Sequence, residues 1–235
     1  MFGEIIFHWK GEAIRLELIN KLNLMKKYIA ELLGTFALVF CGTGAIIIDQ
    51  QTNGQVGHIG VAITFGLTVT AMIYAFGDKS GAHFNPAVTI AFSLANLFPK
   101  KQILAYITSQ VIGAFIASML LNFLFPTNSN LGATIPTGSN LQSFVLESVL
   151  TFILMLTILL TSQGSKETGT MAGLAIGGVV LLEAMFAGPI CGASMNPVRS
   201  LSPAIISGNT SSLWVYLTAP IFGASTSVLI WRFIK

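Results

Sequence analysis

The chain has 235 residues, of which 53% are hydrophobic and only 9% are charged, and its formal net charge is +3. A soluble domain carries about 25% charged residues, so this composition excludes an ordinary soluble globular protein and indicates a chain that lies in lipid. The 12 basic residues are not clustered with aromatic residues, which argues against a nucleic-acid-binding surface.

The N-terminal segment, residues 1–27, mixes acidic and basic residues and has no clean apolar stretch of the kind found in a signal peptide. We interpret it as a cytoplasmic segment. The sequence leaves open whether it is an interfacial amphipathic helix or a soluble tail. The rest of the chain, 28–235, is predicted to form a single membrane domain.

Six long apolar runs follow, and each is long enough to cross a bilayer core of about 30 Å as a helix. Two shorter stretches, starting at Asn85 and Asn196, are too short to span, and a loop containing glycine precedes each of them. This pattern predicts an all-α membrane protein with six transmembrane helices and two re-entrant half-helices. The six runs lie near 28–48, 57–76, 102–124, 141–162, 170–188 and 212–233.

The basic residues predict the orientation, because Lys and Arg favour cytoplasmic segments. With the N-terminus inside, every Lys and Arg except Arg199 falls on the cytoplasmic side, and the outer loops near 49–56 and 125–140 contain none. Both termini are therefore predicted to be cytoplasmic. A charge at membrane depth costs several kcal/mol unless it faces water or partners, so Arg199 is expected to be functional.

An internal repeat divides the chain into two halves. The pattern Gly-Ala-x-x-Asn-Pro occurs at 81–86 and again at 192–197. Near the start of each half, a glutamate (Glu31 or Glu147) is followed four residues later by Thr-Phe. Each half, about 28–124 and 141–235, holds three spans, and because three is odd the second half must be inverted. Inverted repeats place the working site at the midplane, where broken helices meet.

Each Asn-Pro pair is a helix-start signal, because Asn caps free backbone N–H groups and Pro at the first position loses no needed donor. Two half-helices whose N-termini meet would place two partial positive charges at the midplane. The side-chain oxygens of Asn85 and Asn196 are expected to cap, leaving their NH₂ groups facing the lumen as donors. This arrangement opposes cations and interrupts a proton wire.

The backbone before each half-helix is predicted to be non-helical at membrane depth. Such backbone is tolerated where it lines a wet cavity or is buried in protein. We expect its carbonyl groups to form a ladder of acceptors along a pore. The residues concerned are Gly81, Ala82 and His83 in the first loop and Gly192, Ala193 and Ser194 in the second.

The loops at 81–89 (Gly-Ala-His-Phe-Asn-Pro-Ala-Val-Thr) and 192–200 (Gly-Ala-Ser-Met-Asn-Pro-Val-Arg-Ser) resemble the two signature loops of aquaporins, the major intrinsic protein family. The resemblance covers the chain from about residue 28, and it implies the aquaporin fold and a homotetramer. The second loop departs from the usual motif at Val198, where Ala is common. The resemblance implies a midplane constriction at Asn85, Pro86, Ala87, Asn196, Pro197 and Val198, with Glu31 and Glu147 bracing the two loops.

The resemblance also implies a selectivity filter on the outer side of the midplane, formed by Phe65, Ala184, Ala193 and Arg199. The two alanines leave space, and the sequence is similar to nodulin-like intrinsic proteins and glycerol facilitators, a group that includes channels for metalloid hydroxides. We therefore predict a passive channel for small uncharged solutes (glycerol, urea or metalloid hydroxides such as arsenous acid) and water, which excludes ions and protons.

Two alternatives remain at this point: a strict water channel, and a coupled secondary transporter in which Glu31 and Glu147 form a proton relay. An enzyme is not expected, because no nucleophile–base pair appears. No cofactor is expected, and no metal, since His83 has no second ligand at metal spacing. Glu183 has no assigned role. The compact chain and short loops indicate a bacterial inner (plasma) membrane.

Overall fold

The computed structural model describes the backbone of residues 2–235 and the side chains of residues 15, 17–165 and 168–235. The described backbone is helical almost throughout, with one 3₁₀ turn at Lys100–Gln102. The helices are α1 (Phe2–Gln51), α2 (Gly57–Ser80), α3 (Pro86–Leu94), α4 (Ile103–Leu124), α5 (Asn140–Ser162), α6 (Lys166–Thr170), α7 (Ala172–Cys191), α8 (Pro197–Ser207) and α9 (Leu213–Ile234).

Six of these helices, within the described residues, are long and apolar enough to cross a membrane: α1, α2, α4, α5, α7 and α9. They coincide with the six predicted apolar runs, and the predicted fold class is confirmed. Two details go beyond the prediction. The backbone of the N-terminal segment, for which a helix and a soluble tail were both left open, is helical and continues directly into the first span, and a short helix, α6, lies in the loop after α5.

The role of the N-terminal segment stays a prediction. Its side chains up to residue 14, and that of residue 16, lie outside the described residues. From residue 17 onward the segment is largely exposed before α1 enters the helix bundle. An interfacial position in the membrane therefore rests on the sequence alone.

The half-helices α3 and α8 have 9 and 11 residues. At 1.5 Å per residue neither can cross the bilayer, but together they reach about 30 Å, the thickness of its apolar core. The two helices contact each other, and both also pack against α4 and α9. They therefore form one interrupted helix in the middle of the bundle.

Two glycines show the inverted repeat in the packing. Gly113 on α4 crosses α1 so closely that an added Cβ would overlap the Leu32 carbonyl oxygen. Gly223 on α9 crosses α5 in the same way, and its Cβ would overlap the Ser148 carbonyl oxygen. Corresponding helices of the two halves thus use corresponding small residues for close approach, as is common between membrane helices.

The second span of each half, α2 and α7, also cross in near backbone contact. A Cβ on Gly66 would lie 2.6 Å from the Gly177 carbonyl oxygen, and a Cβ on Gly177 would lie 2.5 Å from the Gly66 carbonyl oxygen. This crossing holds the helix that carries Phe65 against the helix that carries Ala184. The fold thereby brings the two predicted filter residues to one region.

Candidate functional site

The two asparagines cap the half-helices in the same way. Asn85 is extended (φ −155°, ψ 122°), and its Oδ1 accepts from the Ala87 N–H at 2.9 Å. Asn196 has nearly the same conformation (φ −150°, ψ 112°), and its Oδ1 accepts from the Val198 N–H at 3.2 Å. Each following proline stands at the first helical position, where it displaces no hydrogen bond.

The NH₂ groups of the asparagines, which were predicted to face the lumen as donors, also donate to the protein. Nδ2 of Asn85 donates to the Met195 carbonyl at 2.7 Å, and Nδ2 of Asn196 donates to the Phe84 carbonyl at 2.9 Å. Each half-helix is thus tied to the loop that precedes the other. An amide nitrogen carries two hydrogens, so one per asparagine is left for a solute.

The asparagines line the central cavity, together with Val88 of α3. Pro86, Ala87, Pro197 and Val198 are buried at the starts of the half-helices. Ala87 and Val198 supply the N–H groups that the asparagines cap, and the prolines begin the two helices. Of the six residues predicted for the midplane constriction, the two asparagines therefore contact the passage directly.

Both loops before the half-helices contain left-handed backbone at the same three positions. In the first loop φ is positive at Gly81, Ala82 and Phe84, with values of 86°, 52° and 50°. The second loop repeats this at Gly192, Ala193 and Met195, with 83°, 41° and 52°. Left-handed backbone is strained for residues other than glycine, and such strain persists where surrounding contacts hold it. The predicted carbonyl-bearing residues, Gly81, Ala82, His83, Gly192, Ala193 and Ser194, all line one of two cavities.

A buried glutamate holds each strained loop. Glu31 accepts from the backbone N–H groups of His83 and Phe84 at 2.9 and 2.8 Å, and from the side chains of Ser80 and Gln110 at 2.7 and 2.8 Å. Its exposed fraction is 0%. The carboxyl group thereby satisfies amides that the loop geometry turns away from helical partners.

Glu147 does the same in the second half. It accepts from the N–H groups of Ser194 and Met195 at 2.7 and 2.8 Å, and it is also fully buried. A tyrosine closes each loop behind its glutamate: Tyr106 donates to the Ser80 carbonyl at 2.8 Å, and Tyr216 donates to the Cys191 carbonyl at 2.7 Å. The sequence analysis missed both tyrosines, although their spacing along the chain nearly matches that of the two asparagines.

Two cavities meet at the predicted filter. An inner cavity of about 150 Å³ runs past the asparagines, and an outer cavity of about 500 Å³ opens beyond it. The described residues that line both cavities are Phe65, Ala184, Ala193 and Arg199. These are the four residues predicted for the filter, so they stand at the junction between the inner passage and the outer vestibule.

Arg199 is buried, with an exposed fraction of 2%. Its Nη1 donates to the Gly132 carbonyl at 2.8 Å, and its guanidinium carbon lies 4.9 Å from the centre of the Phe65 ring. Nε has no hydrogen-bond partner among the described residues. The guanidinium group is therefore held on one edge and leaves donors for a passing solute.

Gly132 lies in the outer loop between α4 and α5, which folds back onto the bundle. A Cβ on Gly132 would lie 2.7 Å from Cβ of Thr43, and the backbone there is left-handed with φ 68°. Thr134 of the same loop donates to the Ser200 hydroxyl at 2.8 Å. The sequence predicted only a short outer loop, and Gly132 was the one residue that indicated a close approach of this loop to the helices.

The lining of the inner cavity is of two kinds. The two loops contribute backbone groups and the two asparagines. The helices α1, α2, α5 and α7 contribute apolar side chains, which are Leu38, Val69, Ile73, Leu154, Ile158, Ile176 and Val180. The passage therefore offers both apolar contacts for a carbon skeleton and hydrogen-bond partners.

Two further ionisable side chains lie near the site. The ring of His83 packs in a cluster with Phe92, Phe98 and Tyr106, at centroid distances of 4.8 to 5.1 Å. Glu183 is fully buried on α7, and neither of its carboxyl oxygens has a hydrogen-bond partner among the described residues. Within the described side chains, His, Cys, Asp and Glu form no group of three that could hold a metal ion.

Six spans among the described residues, two half-helices that meet at their N-termini, and two cavities that share four lining residues define a membrane channel built as an inverted repeat. The family model described as Major intrinsic protein matches residues 18–231, and the chain belongs to this family. The resemblance of the two loops to those of aquaporins is thus confirmed. The family consists of aquaporin channels, so the chain is an integral membrane channel and not an enzyme.

Curated relatives and a solved structure agree with this assignment. The chain is 46% identical over 212 residues to Aquaporin NIP1-1 of Oryza sativa subsp. japonica, covering 90% of this chain and 75% of the relative. It is 40% identical over 212 residues to Nodulin-26 of Glycine max, covering 90% and 78%. The X-ray structure of the aquaglyceroporin from Plasmodium falciparum matches with a TM-score of 0.79 at 28% identity, covering 88% of this chain and 95% of that one.

The similarity to nodulin-like channels, predicted from the sequence, is therefore confirmed. The two curated relatives named above come from plants. They give no support to the predicted bacterial origin. An integral membrane location with six spans is what the family and the helices establish.

Proposed function

We propose that the chain is a passive channel for small uncharged solutes, namely glycerol, urea or metalloid hydroxides such as arsenous acid, and for water, and that it excludes ions and protons. The observation that carries this proposal is the junction of the two cavities. Two of its four residues, Ala184 and Ala193, have the smallest side chain after glycine. The side chains of these two alanines therefore narrow the junction of the two cavities only slightly.

The lining of the passage supports a hydroxylated or amide solute. Phe65 and the valines of α2 and α7 offer an apolar wall, and the loops offer backbone groups and the two asparagines. A molecule such as glycerol has a carbon side and a hydroxyl side. It can replace its water contacts by those of the loops while its carbon skeleton slides along the apolar wall.

The charge distribution supports the exclusion of cations and protons. Arg199 brings a positive charge to the filter, and the half-helix N-termini bring about half a charge each to the midplane. The free hydrogens of Asn85 and Asn196 require a passing water to accept with its oxygen. Such an orientation interrupts a chain of waters along which a proton could move.

The hydrogen bonds of the two buried glutamates favour a channel over a coupled transporter. Glu31 accepts four hydrogen bonds, and Glu147 accepts two from the backbone of its loop. A relay residue must load and release a proton during each cycle. Release of these bonds would leave buried N–H groups unsatisfied, at about 1–3 kcal/mol each, so we assign both residues to bracing the loops.

Two further proposals concern the setting of the channel. The distribution of Lys and Arg supports cytoplasmic termini, because the loops on the opposite face contain none. Family membership supports a homotetramer with one passage in each subunit. Cross-linking in native membranes tests the second proposal, and a single band at the mass of one subunit would contradict it.

Uptake of radiolabelled glycerol into proteoliposomes tests the proposed function. A passive channel predicts a rate that rises linearly with glycerol concentration and does not change when a proton gradient is imposed. Saturable uptake that follows the gradient would instead support a coupled transporter. Transport of water without glycerol or urea would support the strict water channel.

A further inference from the structure

The helix α7 is interrupted close to the filter. Pro189 lies inside α7, and proline has no backbone N–H. In an α-helix each carbonyl accepts from the N–H four residues later, so the carbonyl of Met185 loses its helical donor. Met185 directly follows Ala184, and the missing hydrogen bond therefore falls one residue from the filter.

A side chain of another helix supplies a donor to this carbonyl. Nε2 of His58 lies 2.5 Å from the Met185 carbonyl oxygen. Because a carbonyl oxygen can only accept, Nε2 must carry the hydrogen and donate it. His58 is the second residue of α2, so the bond joins the outer end of α2 to α7.

The space beside α7 fits the imidazole ring. Gly188 lies where a Cβ would come within 3.0 Å of Cε1 of His58. A larger residue at 188 would therefore press on the ring. His58, Gly188 and Pro189 all line the outer cavity, beside Ala184 and Arg199.

The last turn of α7 is held by the outer loop. The Thr137 hydroxyl donates to the Pro189 carbonyl at 2.8 Å, and the Thr137 N–H donates to the Ile190 carbonyl at 3.0 Å. With the Cys191 carbonyl, which accepts from Tyr216, four carbonyls after Ala184 in α7 receive donors from outside the helix. The outer part of α7 is positioned by α2 and the outer loop as well as by its own hydrogen bonds.

The bond also fixes α2 against α7 around the filter. Along α2, Phe65 lies between His58 and the close crossing at Gly66. Along α7, Ala184 lies between Met185 and the close crossing at Gly177. The two filter residues therefore stand between two contacts that join the same pair of helices.

We propose that His58 is a positioning residue of the selectivity filter: it donates to the Met185 carbonyl that Pro189 leaves free, and this sets the place of Ala184 relative to Phe65. The proposal rests on the proposed function, since it assumes that this filter selects the solute. It predicts that the loss of the donor changes selectivity before it changes folding.

A double-mutant cycle in proteoliposomes tests this proposal, with the ratio of glycerol to water permeability as the readout. His58→Phe keeps a ring but removes the donor, and it is expected to shift the ratio about threefold, in line with one modest hydrogen bond. His58→Gln keeps an amide donor at a similar reach and is expected to stay near the wild-type ratio.

Pro189→Ala provides the matched background, because alanine restores an N–H at the position that should donate to Met185. In that background His58→Phe is expected to change the ratio little. An equal shift in both backgrounds, or no shift in either, would overturn the proposal. The amount of channel per vesicle and the gel-filtration profile in detergent show whether each variant has folded and inserted.

The two proposals fail in different ways. If the wild type passes no glycerol, the proposed solute class is wrong, and the cycle is then read as water permeability alone. His58→Phe would still lower that permeability only in the presence of Pro189. If the wild type passes glycerol and the cycle shows no coupling, only the role of His58 is wrong.

Discussion

The guanidinium carbon of Arg199 lies 4.9 Å from the centre of the Phe65 ring, while its Nη1 donates to the carbonyl of Gly132. One charged side chain therefore joins an apolar wall of α2 to an outer loop. A cation beside an aromatic ring at this distance is stabilised by about 0.5–2 kcal/mol. The contact keeps the guanidinium plane at the edge of the passage, where it can donate to a solute without closing it.

Replacement of Arg199 tests its part in ion exclusion. In Arg199→Ala the positive charge is lost and the passage widens, so we expect glycerol flux to persist and a proton leak to appear. Arg199→Lys is the matched control, because it keeps the charge and should keep protons out. Liposomes that contain a pH-sensitive dye measure the leak. An Arg199→Ala variant whose proton permeability equals that of the wild type would contradict the role given to this charge.

Glu147→Gln tests the bracing of the second loop. An amide offers one acceptor oxygen where the carboxylate offers two, so one of the N–H groups of Ser194 and Met195 loses its partner. Such a loss costs about 1–3 kcal/mol in a buried site, and we expect a Tm lower by about 5 °C with reduced glycerol flux. Glu17→Gln, at an exposed acidic position of α1, is the control. Unchanged Tm and flux in the Glu147 variant would refute the bracing role.

Glu183→Gln should behave in the opposite way. Both carboxyl oxygens of Glu183 lack a partner among the described residues, and burial of an unpaired charge is more costly than burial of a neutral amide. We therefore expect this variant to keep its water and glycerol permeability and to have an equal or higher Tm. The comparison with Glu147→Gln contrasts two buried acids on adjacent helices. A loss of flux in Glu183→Gln would reveal a function for the carboxyl group.

The spans and the half-helices were predictable because their causes are local. A run of apolar residues and an Asn-Pro pair each act within a few positions of the chain, and the repeat of the pattern at Asn85 and Asn196 indicated that the two starts belong together. The predicted six spans agree with the helices in the structure. For residues 1–27 the sequence left open a helix or a soluble tail, because the polar residues of this segment carry no clear helix signal, and the structure continues α1 back to Phe2.

The finer parts of the site depend on contacts between distant segments. Nδ2 of Asn85 and Nδ2 of Asn196 each donate to the opposite loop, and no pattern within either loop predicts such a bond. The partner of Arg199 is a backbone carbonyl, which any residue could provide. The role of His58 was not predicted, since its relation to Pro189 appears only when α2 and α7 lie side by side. These features require the packed bundle.

Stopped-flow light scattering on proteoliposomes tests the central claim most directly, with water and glycerol permeability measured for the wild type and for Ala184→His. The account predicts that the wild type passes both molecules, and that the imidazole narrows the junction so that the variant passes mainly water. A wild type that passes only water, or a variant with an unchanged permeability ratio, would contradict the claim that these four residues select the solute.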